Sequence, residues 1–340
     1  MKISAAVFVW IFCALLTVQA ATTAGFDFLN IPVSARTAGG TVSLIGEKDN
    51  NLSFGTNPAM LAGINRSAFS IDINPVIMDI YRGAFSAALL FENGFVLVPS
   101  ILYVNFGTLT PVDENGDEIS AYISPFSLSV ETALAKRFYE RLNVGARLKF
   151  IHEQISQEMV GNWDGYFSGG IAMDLGIYAQ RNFFRYSAGF RNIGFAYDNY
   201  DSENIDVRMP ASSFVGIGVI VEAEAKLGWY LEAENFFHAY GDGRPPLFFR
   251  TGFEFPVHRE VLILRTGTAF TPDDVHHVFN TFRGQTVKAW EYSSQTWLLA
   301  SAGATVNAKI AKKLLSLDIA CQFRKDGLKP SFVFSGTMYF

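Results

Sequence analysis

From Arg66 to the last residue, apolar and polar side chains alternate with a period of two in segment after segment. Phe126, Leu128, Val130, Thr132 and Leu134 fall on one face of an extended chain, with Ser127, Ser129, Glu131 and Ala133 on the other. Leu142, Val144, Ala146, Leu148 and Phe150 oppose Asn143, Gly145, Arg147 and Lys149 in the same way. The split recurs over Phe167 to Ala179, Phe184 to Phe190, Lys226 to Glu234, Leu247 to Phe255 and Leu315 to Arg324. This period marks β-strands with one oily and one polar or small face, and intervening turn residues divide the region into about fourteen of them. Two segments fit less well. Pro99 interrupts Phe95 to Phe106 and predicts a bulge or kink, because proline cannot donate to a ladder. Trp297 to Asn307 alternates weakly.

A soluble sandwich would show the same alternation with its oily face inward. The connections favour a barrel. Tight links at Glu92 to Gly94, Phe138 to Arg141, Gln180 to Asn182, Glu222 to Ala225, Val257 to Glu260 and Ile310 to Lys313 alternate with longer ones, up to Thr271 to Ser294. Short turns on one rim and long loops on the other characterise outer-membrane barrels. Composition agrees: 49% of residues are hydrophobic and only 17% charged, against a usual charged fraction of about a quarter. After the first twenty residues no apolar run is long enough for a helical span, which leaves a closed barrel as the way to be this apolar in lipid. The expected fold is therefore all-β, an outer-membrane antiparallel barrel of about fourteen strands over residues 66–340.

Lys2, the apolar run Ile3 to Val18 and the small residue Ala20 before Ala21 form the pattern of a secretory signal peptide, residues 1–20, cleaved near Ala20. Residues 21–65 do not share the strand rhythm. Ile31-Pro32, Gly39-Gly40, Gly55 and Asn57-Pro58 break this stretch every few residues, yet it holds Val42, Leu44, Ile45, Leu52, Phe54, Met60 and Leu61. It reads as a compact plug inside the barrel, either a fixed stopper or a movable hatch, with Arg36, Gly39, Gly40, Asn57, Pro58 and Ala59 as its candidate functional residues. At the other end Phe332, Phe334, Met338 and Phe340 share a face, and the terminal Phe340 resembles the signal by which bacterial barrels are recognised for assembly.

The run Phe28 to Ser43 (FLNIPVSARTAGGTVS) with Asn57 to Leu61 (NPAML) resembles the opening of PorV and PorQ, outer-membrane proteins of the type IX secretion system that are distantly similar to FadL channels. Tyr103 to Gly107, Asp113 to Gly116 and Leu148 to Ile151 bring the likeness nearer to PorQ. That resemblance implies a non-enzymatic barrel in the outer membrane that anchors or shuttles secretion-system partner proteins, at the surface or from the periplasm. A docking loop would hold Phe279, Phe282, Trp290 and Tyr292, and the wall would meet outer-membrane lipid and lipopolysaccharide. The alternative is a FadL-like channel for hydrophobic small molecules, which would need a greasy pocket between plug and wall, opening sideways through a kinked strand; Phe248, Val215 and Pro99 hint at one.

Candidate chemistry is thin. A net charge of −5 gives no basic footprint for nucleic acid. His152 and Ser156 lie too far apart for a nucleophile and its base, His276-His277 reads as solvated, and Asp113 to Glu118 lacks the glycine spacing of a calcium loop. No catalytic, metal or cofactor site is expected. Cys321 shares an oily face with Leu317, Ile319 and Phe323 and should be inert. The polar face would carry Glu131, Arg147, Lys149, Asp174, Arg185, Arg191, Lys226, Glu232, Glu234, Arg250, Glu254, Asp318 and Arg324 into the lumen, in signs balanced enough for pairing rather than for an ion filter.

Overall fold

The computed structural model describes residues 25–42, 52, 55, 57–75, 80–108, 110, 124–139, 141–154, 167–197, 208–222, 226–237, 247–258, 261–271, 300–310, 313–323 and 330–340. Fourteen strands follow in order: β1 (Ala68–Pro75), β2 (Tyr81–Leu90), β3 (Phe95–Asn105), β4 (Phe126–Tyr139), β5 (Leu142–Gln154), β6 (Phe167–Arg181), β7 (Phe184–Tyr197), β8 (Ser212–Glu222), β9 (Lys226–Phe236), β10 (Leu247–His258), β11 (Leu262–Phe270), β12 (Ala300–Ile310), β13 (Lys313–Phe323) and β14 (Ser331–Tyr339). Each pairs antiparallel with its chain neighbours, and β1 meets β14 from Ala68↔Tyr339 to Ile73↔Phe334 to close the barrel. Closure leaves no edge strand, so the ladders satisfy one another without water.

The oily faces point outward. Ile71, Phe85, Ile101, Val130, Leu148, Ile177, Leu264, Ile319 and Phe334 are exposed on the wall, while Ser70, Ser86, Ser129, Arg147, Asp174, Arg265 and Ser335 are buried inside. Cys321 faces outward among them, half-buried. His152 also faces outward, its ring 5.8 Å from Phe126 and 6.0 Å from Phe167, so it belongs to the aromatic band at the long-loop rim rather than to any reactive pair.

Three departures from the expected pattern have physical causes. Pro99 makes no bulge: β2 and β3 keep one register from Tyr81↔Asn105 to Leu90↔Val96, with only the pairings opposite Ala87 and Ala88 missing. The kink lies instead in β7, where Arg191 and Asn192 both turn inward opposite Asp174 and Asn192 takes a left-handed φ of 54°. Strand β12 alternates weakly because it is small on both faces, with Ala302, Ala304 and Ala308 outside and Ser301 and Gly303 inside, where the plug comes close. In β3 the inner face is itself apolar, through Val96, Val98, Leu102 and Val104, because apolar plug residues cover it.

The outward face sets a sharp expectation. Replacing Leu148 by Arg should destabilise the barrel by about 2–4 kcal/mol, as lipid-facing cations near the midplane do, read as a lowered midpoint in reversible denaturant unfolding from lipid vesicles.

Candidate functional site: the lumen and its plug

The described part of the chain ahead of β1 lies in the lumen, from the long-loop rim to the short-turn rim. It begins with a 3-10 turn (Asp27–Asn30), continues in a helix, α1 (Ala35–Gly40), and ends in a second 3-10 turn (Pro58–Gly63) that leads into β1. Neither turn nor helix is long enough to stand alone, so the wall must hold them.

Two stations on the wall do so, and both are built on glycine. At the first, Asn57 caps the second turn by accepting from the Ala59 N–H at 3.0 Å, while its amide donates to the Ile177 carbonyl at 2.9 Å. A Cβ on Gly176 would lie 1.8 Å from Asn57 Oδ1, and one on Gly145 would lie 2.4 Å from the Pro58 carbonyl carbon. Asn57, Pro58 and Ala59 thus seat in a notch that only glycine leaves open. At the second station Gly39 lies against Gly303 and the Gly40 carbonyl against Gly267, where a Cβ would come within 3.1 and 2.4 Å respectively. Around it Ser301 donates to the Gly39 carbonyl at 2.8 Å and Ser335 accepts from the Ala35 N–H at 2.8 Å. Arg36 reaches Ser316 at 3.2 Å and Asp318 at 3.5 Å.

Ion pairs fill the remaining polar wall. Arg147 lies between Glu131 (3.5 Å) and Asp174 (3.6 Å), and Lys149 meets Asp174 at 2.9 Å. Arg191 and Arg250 share Glu232 and Glu234. Arg265 joins Glu254 at 2.8 Å to Asp318 at 3.4 Å, so Asp318 is held by both wall and plug. Six carboxylates (Glu131, Asp174, Glu232, Glu234, Glu254, Asp318) therefore face six bases (Arg36, Arg147, Lys149, Arg191, Arg250, Arg265). Buried charges demand such pairing. Arg265 and the buried Asp72 and Arg82 were not singled out by the sequence; the short alternating runs of β1, β2 and β11 carry them inward. The side chain of Lys226 and all of Arg324 lie outside the described residues.

The lumen changes character toward the long-loop rim. There Phe26, Phe28 and Val33 of the plug pack against Ala84, Leu102, Val104, Ile151, Ala172 and Met209. Met209 enters from the segment before β8 and fills the space a Cβ on Gly170 would need. The Gly25 N–H donates to the Arg208 carbonyl at 2.9 Å, which ties the plug to that same segment. Beside this patch the described β7–β8 pairing is short. The β7–β8 ladder stops at Arg191↔Ser212, and Ile193, Phe195 and Tyr197 pair only with β6 among the described residues. Asn192, at the kink, donates from its N–H to Asp174 at 2.8 Å and from its amide to Asn30 of the plug at 3.2 Å and to the Pro210 carbonyl at 3.3 Å.

Of the other expected residues, Phe248 does face the lumen, edge-on to Phe236 at 5.7 Å. Val215 lies on the outward face and lines no pocket, because Phe214 and Gly216 hold the inward positions of β8. Phe340 faces outward at the short-turn rim, 5.6 Å from the Phe69 ring. Phe279, Phe282, Trp290 and Tyr292 lie outside the described residues, as do residues 1–20.

The fold is that of FadL-like outer-membrane barrels. The toluene transporter TodX of Pseudomonas putida superposes with a TM-score of 0.55 at 13% identity, over 94% of this chain and 98% of that one. The toluene transporter TbuX of Ralstonia pickettii gives 0.52 at 14% identity over 84% and 92%. A Pseudomonas aeruginosa FadL homologue gives 0.51 at 10% over 95% and 99%. No protein-family model and no curated protein sequence matches the chain. The resemblance to PorV and PorQ thus has no support from these comparisons, which bear on the fold.

Two outcomes follow from the stations. Gly145→Val should expel the second turn from its notch and raise conductance in planar bilayers while the barrel still forms. Gly83→Ala, where a Cβ meets only the Asp72 carbonyl oxygen at 3.7 Å, should leave conductance unchanged. Arg36→Ala should cost about 3 kcal/mol in unfolding measurements, the low end for breaking a buried ion pair, because Arg265 still faces Asp318.

Proposed function

We propose that this barrel admits hydrophobic small molecules across the outer membrane, entering at the long-loop rim and leaving sideways into the hydrocarbon between β7 and β8. The observation that carries the reading is the apolar patch of Phe26, Phe28, Val33, Leu102, Val104, Ile151 and Met209, placed beside the end of the β7–β8 ladder. An apolar solute gains by leaving water for such a patch, at roughly 25 cal/mol per Å² of surface covered. Straight down, ion pairs and both glycine stations cross the lumen. The shared fold of barrels described as toluene transporters supports the same reading.

The plug serves this function in two parts. Its lower turn and helix are a fixed stopper, held by notches and Arg36. Its first turn is the hatch, since the apolar contacts of Phe26 and Phe28 seat it beside the Asn30–Asn192 bond, and such contacts yield to an apolar ligand that replaces them. The scaffold role, holding type IX secretion partners, rests on the PorV and PorQ resemblance and on an aromatic loop outside the described residues, and no feature of the lumen favours it.

Uptake of radiolabelled toluene by cells with no hydrocarbon channel of their own tests the proposal. Cells displaying the barrel should take up toluene at least tenfold faster than empty-vector cells, and Val104→Asp should remove the gain at equal surface abundance. Equal uptake with and without the barrel, together with a large soluble protein retained on purification, would replace the channel by the scaffold.

A further inference from the structure

The outward wall is nearly free of charge, and the exceptions are not scattered. Among the described side chains of the fourteen strands, the outward-facing charged ones are Lys136, Arg181 and Lys313. All three are cations, although acids outnumber bases in the chain, and all three sit at the short-turn rim: Lys136 opposite Phe95, Arg181 opposite Phe184 and Lys313 opposite Ile310. That rim faces the periplasm in barrels of this kind.

From these positions we infer that the rim carries seats for anionic phospholipid of the inner leaflet, whose phosphate the three cations receive. The Lys136 ammonium lies 4.2 Å from the centre of the Phe95 ring and 5.9 Å from that of Phe138, and the Lys313 ammonium lies 4.8 Å from that of Phe340. A ring occupies one side of an ammonium and accepts no ordinary hydrogen bond. No carboxylate, hydroxyl or carbonyl of the described residues completes the shell of Lys136, Arg181 or Lys313, whereas in the lumen Arg36, Lys149, Arg191 and Arg265 each pair with an acid. The rings fix the Lys136 and Lys313 charges where a headgroup lies, and the stems of all three cations run along the oily wall beneath, where acyl chains pack. The phosphate of a phospholipid supplies the missing acceptor. A net negative headgroup is favoured over a zwitterionic one because the choline of the latter would meet the same cation. Each such contact near an anionic surface is worth about a fivefold preference.

Native mass spectrometry of the folded barrel, released from bilayers holding equal amounts of phosphatidylglycerol and phosphatidylcholine, tests this. The wild type should retain phosphatidylglycerol over phosphatidylcholine about fivefold for the first lipid bound, with no more than three retained strongly. The triple variant Lys136→Ala, Arg181→Ala, Lys313→Ala should keep its β circular dichroism and lose the preference, and Lys313→Arg should keep it. Equal retention of both lipids by the wild type, or a preference unchanged in the folded triple variant, would overturn the proposal. So would retention of lipopolysaccharide that falls with the triple variant, since its phosphates belong to the opposite leaflet. Toluene uptake plays no part in this readout, so the seats and the channel stand or fall separately.

Discussion

Hydrocarbon offers a backbone nothing to bond to, and the rest of this molecule follows from that lack. Every N–H and C=O at membrane depth must be met by a neighbouring strand, so the sheet closes through the β1–β14 ladder. Closure makes every strand two-sided, lipid on one face and lumen on the other. Charge at membrane depth is then driven inward, into a space with too little water to solvate it, and there carboxylates and bases have to find one another. The wall networks are the residue of that pressure. So is the use of Asp318, which serves two strands' worth of wall and the plug at once through Arg265 and Arg36.

A lumen bounded in this way needs its filling to fit closely, and the fit is made by omission. Four wall positions carry glycine where the plug touches, and no wall side chain could stand there without shifting it. The plug in turn supplies what its short turns lack: Asn57 satisfies its own turn and the β6 carbonyl with one side chain. At the kink in β7 the same economy holds. The extra residue, Asn192, leaves an N–H off the ladder, and the Asp174 carboxylate accepts it.

Much of this was legible in the sequence because it depends on parity. A period of two fixes which side chain meets lipid, so the barrel, the strand number and most lumenal charges could be read from alternation alone. What parity does not encode was missed. The proline at position 99 looked like the kink, but Pro99 loses pairings only opposite Ala87 and Ala88, and the register survives. The true kink is written in Asn192, a residue with no strong sequence signal, whose left-handed backbone is stabilised by partners from three distant segments. Val215 looked like a pocket residue until the inward set of β8 proved to be the even one. Gly145 read as an ordinary small inner-face residue, because a notch exists only once its occupant is known.

Selectivity in such a barrel has to come from the exceptions to its electrostatic balance. Paired ions give no net field along the lumen, so a charged solute is offered no site richer than bulk water and must break an existing pair to find one. An apolar solute meets the opposite situation at the long-loop rim. The contacts it must displace there, Phe26 and Phe28 against Leu102, Val104 and Met209, are of the kind it can itself make, and exchanging one apolar surface for another costs little. Among the described residues the β7–β8 ladder ends beside Asn192, which is where the proposed exit lies. On the proposed reading the interior discriminates by what a visitor can replace, and the first turn of the plug, seated through Phe26 and Phe28, is replaceable on those terms.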